Sequence, residues 1–269
     1  MASGGGEVEI LADEEHAGGF LLLLDRIRQS FVAVDDPTYL EFPYVQVLGE
    51  IIHALPPGPI DAVHVGGGAA TLPRWLAATR PGSNQQVFEV NAELLRMVEH
   101  RLPIAPDAGI DVRLQEGRAG IRALPDSSAD LIVVDAFSAG RVPADLTTVE
   151  FFHDVARVMR RSGVLLVNTT ATAGSQYLRR LIAAVAAAEL GEILVFGEQD
   201  GEVGNVVLAA ALAPAVLPPM AGIGPLGRPL ALSGPALAGF LTGAAPLTDA
   251  DPMRSPMPRD EIWRVGGAG

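Results

Sequence analysis

The residues best suited to chemistry are glycines and acids at the ends of apolar runs. Ala62 to Val65 runs into Gly66-Gly67-Gly68, and a helical pattern opens at Thr71. Glycines let a backbone turn tightly and approach a ligand, and the helix start beyond them offers free N–H groups. Glu89 follows Gly68 by 21 residues, at the end of the next apolar run. An acid at that point is placed to hydrogen-bond a ribose diol. Glu116-Gly117 closes a third run, where a carboxylate suits the exocyclic amine of an adenine. The fourth run, Leu131 to Val134, ends in Asp135. A carboxylate there sits at the carboxyl edge of a sheet, the edge at which open α/β folds bind ligands. Partial burial would raise its pKa and suit it to proton abstraction.

Four such run ends at one edge require repeated strand–turn–helix units. The alternation of apolar runs and helical periodicity from residue 60 onward supplies them. It predicts an α/β fold with a Rossmann-like, mostly parallel, seven-stranded sheet and helices on both faces. Helices are expected at 40–55, 71–79, 92–101, 118–124, 147–160 and 175–188. The last two runs, Glu192 to Phe196 and Asn205 to Ala211, are joined by Gly197 to Gly204 with no helix between them. That gap suits a hairpin, so one of these strands should run antiparallel. A small antiparallel β element precedes the sheet, from Val8 to Leu11, Phe20 to Leu24 and Ser30 to Val34. Gly18-Gly19 and Asp25-Arg26 supply its turns. The resulting divisions are 1–36, 37–213 and 214–269. Residues 1–6 read as frayed. The last division holds 10 of the 21 prolines and 9 of the 30 glycines. It reads as loop and short helix, with a turn or two at Pro235 to Leu241, packed on the domain or partly disordered.

Composition narrows the chemistry. The chain has 269 residues, 49% of them apolar, and a net charge of −13. All 19 basic residues are arginine, so a Schiff-base or P-loop lysine is impossible. The acidic balance argues against nucleic acid, which needs a basic footprint. Without cysteine there are no disulfides, thiolate nucleophiles or Cys-type zinc sites. The five histidines show no metal-ligand spacing, so no metal is expected, and His64, inside a strand, reads as a satisfied buried side chain. No apolar run is long enough to span a bilayer, and the acidic N-terminus lacks the basic region of a signal peptide, so a cytoplasmic protein is expected. The pairs Arg160-Arg161 and Arg179-Arg180 read as solvated. Residues 1–61 hold 11 acids against two arginines, either a solvated face or an acidic mouth for a cationic ligand.

The ordered set of GGG, FEVN, a run ending in Glu-Gly, LIVVDAF and EFFHDVARVMRRSGVLLVN resembles the spermidine synthase family. The segment QSFVAVDDPTYLEF and the closing Leu247-Thr248-Asp249 with Pro252 extend the likeness. That family comprises aminopropyltransferases on the fold of class I S-adenosylmethionine-dependent methyltransferases. The resemblance implies that Gln29, Gly66, Gly67, Gly68, Glu89, Glu116 and Gly117 hold S-adenosylmethionine or its decarboxylated form. Tyr39, Glu41 and Ser138 would face the acceptor, and Asp135 would deprotonate its amine. The expected partner is a small-molecule amine or other acceptor, with a homodimer possible and no nucleic acid or membrane. Departures fall on the acceptor side. Ala69 replaces the acid that the family's glycine loop uses to hold the aminopropyl amine. Ser138 replaces the family's second aspartate, Leu40 a polar residue, and no Tyr-Gln lid segment is visible. These leave open a methyltransferase on a non-polyamine acceptor and a nucleoside-binding homologue without turnover.

Overall fold

The computed structural model describes residues 6–197, 202–212, 217, 226 and 230–258. The chain first forms a three-stranded antiparallel sheet from β1 (Val8–Ala12), β2 (Gly19–Leu24) and β3 (Ile27–Ala33). Asp25 and Arg26, with φ of 52° and 63°, make the β2–β3 turn. Two successive left-handed residues match the twist of a hairpin, which is why a two-residue connection suffices.

The main domain follows as α1 (Pro43–Ala54), β4 (Asp61–Val65), α2 (Thr71–Thr79), β5 (Asn84–Glu89), α3 (Ala92–Arg101) and β6 (Ile110–Leu114). It continues with α4 (Gly117–Ala123), β7 (Ala129–Val134), α5 (Val149–Val158), β8 (Met159–Ala171) and α6 (Gln176–Ala187). The last elements are β9 (Glu192–Gly197), β10 (Gly204–Ala211), β11 (Leu230–Leu232) and α7 (Gly234–Phe240). Helix α1 starts three residues later than expected because Pro43 at its first turn lacks the N–H an interior position needs.

The sheet order is β11-β9-β10-β8-β7-β4-β5-β6. Strands β4 to β8 run parallel, and β10 is antiparallel to both β8 and β9, as a hairpin requires. The tip of that hairpin, 198–201, lies outside the described residues, as do residues 1–5 and much of 213–229. Among the described residues the sheet has eight strands, not seven. The eighth, β11, comes from the Pro/Gly-rich tail and pairs antiparallel with the edge of β9. Three residues show too little alternation to read as a strand, and only the open edge of β9 makes them one.

Strand β7 shows how both faces are filled. Ile132 and Val134 pack towards α5 and α6, whereas Leu131 and Val133 pack towards α1 and α2. Both faces being apolar is what a parallel strand covered by helices demands. The β element packs separately. Ile10, Leu22 and Val32 pack in one cluster with Ala69, with Leu94 and Val98 of α3, and with Leu102 just past its end. This docking lays β3 across the glycine loop.

The tail is strapped down by arginines. Arg180 on α6 is buried and donates to the carbonyls of Ala245, Pro246 and Asp251 and to the Asp251 carboxylate at 2.7 Å. Its expected solvated position is therefore corrected. A non-helical segment crossing the surface leaves carbonyls without donors, and a guanidinium supplies several at once. Arg118 on α4 binds Asp249 through two nitrogens at 2.8 and 2.7 Å, and Thr148 donates to the same carboxylate. Among the described residues no helix is long and apolar enough to cross a membrane.

Candidate active site

A cavity of about 1160 Å³ opens at the carboxyl ends of β4, β5 and β7, beneath β3 and the start of α1. The glycine loop forms its floor. Gly66 has φ of 101°, and a Cβ there would lie 2.1 Å from the Asp135 carbonyl oxygen. Gly68 has φ of 48°, and its Cβ would lie 2.3 Å from Ser30 Oγ. Both positions therefore require glycine, for backbone conformation and for space. Gly117 is needed for packing, since a Cβ would meet Val65 Cγ1 at 2.4 Å.

Glu89 lines the cavity and holds the loop in place. One carboxylate oxygen accepts from Gly67 N at 2.9 Å and Gly68 N at 3.3 Å. The other accepts from Val90 N at 2.9 Å and Asn91 N at 2.8 Å. The acid that the sequence assigns to a ribose is thus also the pin between β4 and β5. Glu116 lines the cavity too and caps α4, accepting from Arg118 N at 2.7 Å and Ala119 N at 2.8 Å. Gln29 lies on the β3 wall, its amide turned to the Ile27 carbonyl at 3.4 Å. Gln29, Gly66, Gly67, Gly68, Glu89, Glu116 and Gly117 all line this one cavity.

Asp135 lies directly past Val134, with its backbone N–H on the Val65 carbonyl at 2.9 Å. Its carboxylate accepts from Asn168 Nδ2 at 2.8 Å and hydrogen-bonds the Tyr44 phenol. Burial raises its pKa above the usual aspartate range, and the two hydrogen bonds offset only part of that shift. The buried Tyr44 hydroxyl is pushed well above its ordinary value, first by desolvation and then by the Asp135 charge.

The sequence reading missed Tyr44 and Asn168. Val134 pairs with Val167, so Asp135 and Asn168 leave adjacent parallel strands at one level. A polar residue ending the apolar run Val164 to Val167 was the available signal. Tyr39, expected at the acceptor, is off the cavity wall. Its ring stacks on His16 at 4.2 Å and meets Phe31 edge-on, and its hydroxyl bonds Glu41. The tyrosine on the wall is Tyr44, carried inward by the first turn of α1. Glu41 and Ser138 do line the cavity, Ser138 within a tight turn whose N–H bonds the Arg141 carbonyl at 2.8 Å. Ala69 is fully buried among apolar side chains under the β element.

The wall is acidic. Among the described residues it carries Asp25, Glu41, Glu89, Glu116, Asp135, Asp145 and Glu202 against one arginine, Arg28. His64 adds no charge at neutral pH, because burial lowers its pKa to about 4 while its ring bonds Gln85 at 3.0 Å. Such a cavity attracts cations. Its glycine floor, paired strand-end acids and size also fit an adenosine-type sulfonium.

The fold is similar to that of a methyltransferase-like protein, with an antiparallel β element added in front. In sequence the chain is similar to polyamine aminopropyltransferases, and in fold to spermidine synthases. It is 29% identical over 134 residues to a polyamine aminopropyltransferase of Vibrio vulnificus, covering 49% of this chain and 44% of that one. It is 26% identical over 178 residues to a polyamine aminopropyltransferase of Moorella thermoacetica, covering 64% and 60%. The matches thus span about half of these relatives' length. The structure of a probable spermidine synthase from Corynebacterium glutamicum superposes with a TM-score of 0.79 at 22% identity, covering 91% of this chain and 95% of that one. A spermidine synthase in complex with the transition-state analogue AdoDATO gives 0.59 at 17% identity, covering 78% and 71%. Human methyltransferase-like protein 13 in complex with SAH gives 0.55 at 17%, covering 76% and 91%. No family model matches the chain.

Proposed function

We propose that this chain is a transferase of the aminopropyltransferase type. Residues 37–213 form its catalytic domain, flanked by the segments 1–36 and 214–269, and it works in the cytoplasm. The carrying observation is the contact between the two halves of the site: the Asp135 backbone lies against Gly66, so base and nucleoside loop meet. Gly66 to Gly68, Glu89, Glu116, Gly117 and Gln29 would hold an adenosine-type donor whose sulfonium activates the neighbouring carbon. An amine drawn into the acidic cavity gives one proton to Asp135. Its nitrogen lone pair attacks the activated carbon, the carbon–sulfur bond breaks, and methylthioadenosine leaves. Alignment of the amine with that carbon supplies most of the rate. The test is incubation with decarboxylated S-adenosylmethionine and a panel of mono- and diamines, following methylthioadenosine and the aminopropylated product by mass spectrometry. Absence of methylthioadenosine with every amine defeats this reading.

A second reading, methyl transfer from intact S-adenosylmethionine, is favoured by Arg28. This side chain lines the cavity beside Gln29 and Ser30, and it makes no hydrogen bond or ion pair among the described residues. A free guanidinium suits the donor's carboxylate, and Ala69 leaves no acid for a lone amine. Arg28→Gln is then expected to weaken intact S-adenosylmethionine about tenfold by calorimetry, the ~1.4 kcal/mol scale of a charged hydrogen bond. Methylthioadenosine affinity should stay unchanged. Preference for the decarboxylated donor, with no effect of the substitution, would exclude this reading.

A further inference from the structure

We infer that Asn205 on β10 is a positioning residue that acts on Asp135 through Asn168. Asn205 Nδ2 donates to Asn168 Oδ1 at 2.9 Å, and Asn168 Nδ2 donates to Asp135 Oδ1 at 2.8 Å. The three side chains form a file from the antiparallel strand β10, through β8, to the end of β7. This inference rests on reading Asp135 as the base.

The logic is that of an amide with two unlike ends. Asn168 is fully buried, so it cannot exchange its partners for bulk water. Its two orientations occupy nearly the same volume and differ only in which end meets Asp135. When Asn205 donates, the Asn168 oxygen is occupied and its N–H faces the carboxylate, favouring the ionised form that accepts a proton. If both amides turn over, Asn168 presents its oxygen to Asp135. That contact is favourable only when Asp135 carries a proton. The relay thus couples the orientation of Asn205, itself on the cavity wall, to the protonation of a base two strands away.

Few other groups compete for this control. Helix α1 presents Tyr44 to Asp135. Strand β4 contributes His64, which is neutral and turned to Gln85 on β5. The glycine loop contributes backbone alone, and its neighbour Glu89 is engaged with Gly67 and Gly68. The nearest adjustable element beyond Asn168 is therefore Asn205.

The relay can be tested by NMR titration of the carboxyl carbon of Asp135 in the full chain, which needs no substrate. Asn205→Asp creates a side chain that, when ionised, only accepts. Asn168 must then donate to it and turn its oxygen to Asp135. The Asp135 midpoint should rise by about one unit or more. In an Asn168→Leu background the same change acts only as a distant charge, and the rise should be less than half as large. Equal shifts in both backgrounds, or none in either, would overturn the relay. Side-chain amide signals of the unmutated protein give a check that needs no variant. Those of Asn168 and Asn205 should both move with the Asp135 midpoint, and a flat Asn205 response counts against the inference. Turnover is read separately, as the acid limb of the kcat/KM profile. A relay seen by NMR in a protein that aminopropylates no amine would leave the relay standing and remove only the functional reading.

Discussion

Asp135→Asn is expected to abolish turnover and, at neutral pH, to raise the melting temperature. The asparagine keeps the shape of the side chain. Its oxygen still accepts from Asn168, and its nitrogen donates to the Tyr44 oxygen. What disappears is a half-buried, desolvated negative charge with hydrogen-bond partners but no cation. Removing a positioned general base costs about 10²–10⁴-fold in rate. The stability change has the opposite sign. The folded state raises this carboxyl's pKa, so it retains a proton at pH values where the unfolded chain has lost one. Stability from this group is therefore greatest below about pH 3.9, the unfolded value, and falls as pH climbs to the folded value. Above that it stays constant, at the cost of holding the charge desolvated. The gain from Asp135→Asn should accordingly be full at pH 7 and vanish in acid. Activity assays and thermal melts at pH 7 and below pH 4 check both halves. A variant that retains a tenth of wild-type activity, or that melts lower at pH 7, would count against Asp135 as a desolvated base.

Glu89→Gln is expected to weaken methylthioadenosine binding about 10–100-fold. The glutamate oxygens serve four backbone amides, two on each side. A glutamine can accept with one end only. Its NH₂ must face either Gly67 and Gly68 or Val90 and Asn91, putting donor against donor. The glycine loop or the β5–α3 turn then loses its anchor, and the ribose diol loses a charged acceptor. Each lost hydrogen bond to a charged group is worth roughly 1.5–3 kcal/mol, and every ~1.4 kcal/mol is tenfold in affinity. Isothermal calorimetry with methylthioadenosine reads the effect. Glu89→Asp separates the two roles: it keeps the charge but is too short to reach loop and diol together, so it should fall between wild type and Glu89→Gln. Affinity within about threefold of wild type for Glu89→Gln would remove Glu89 from the nucleoside site.

Much of this site could be read directly from the chain. The strand–glycine–helix unit at 61–79, the acid closing β5 and the aspartate after β7 are all local patterns. Apolar alternation and turn glycines act over a few residues, and a parallel sheet brings successive strand ends to one edge whatever the side chains do. That is why helices α2 and α3 lie where periodicity puts them, and why Gly66 and Asp135 meet. Ala69 is visible in the sequence as a departure from the glycine-loop pattern of the family the chain resembles. Its place in the apolar cluster under the β element explains why that position tolerates an alanine.

The partners of Asp135 were a different matter. Tyr44, Asn168 and Asn205 come from α1, β8 and β10, and Asn168 stands 33 residues from Asp135 and 37 from Asn205. No short-range pattern links them; the order in which the strands pack does. The same holds for Arg180, which sequence alone makes a surface residue and which the tail 65 to 71 residues away covers. It holds for β11, whose strand conformation exists only because β9 offers an unpaired edge. The sequence by itself determined the repeating unit, the glycine loop and the position of the aspartate we propose as the base, since each is encoded within one stretch of chain. Packing between distant stretches settled which tyrosine meets that base, what orients it, and how the tail closes the fold, because those contacts depend on strand order and burial.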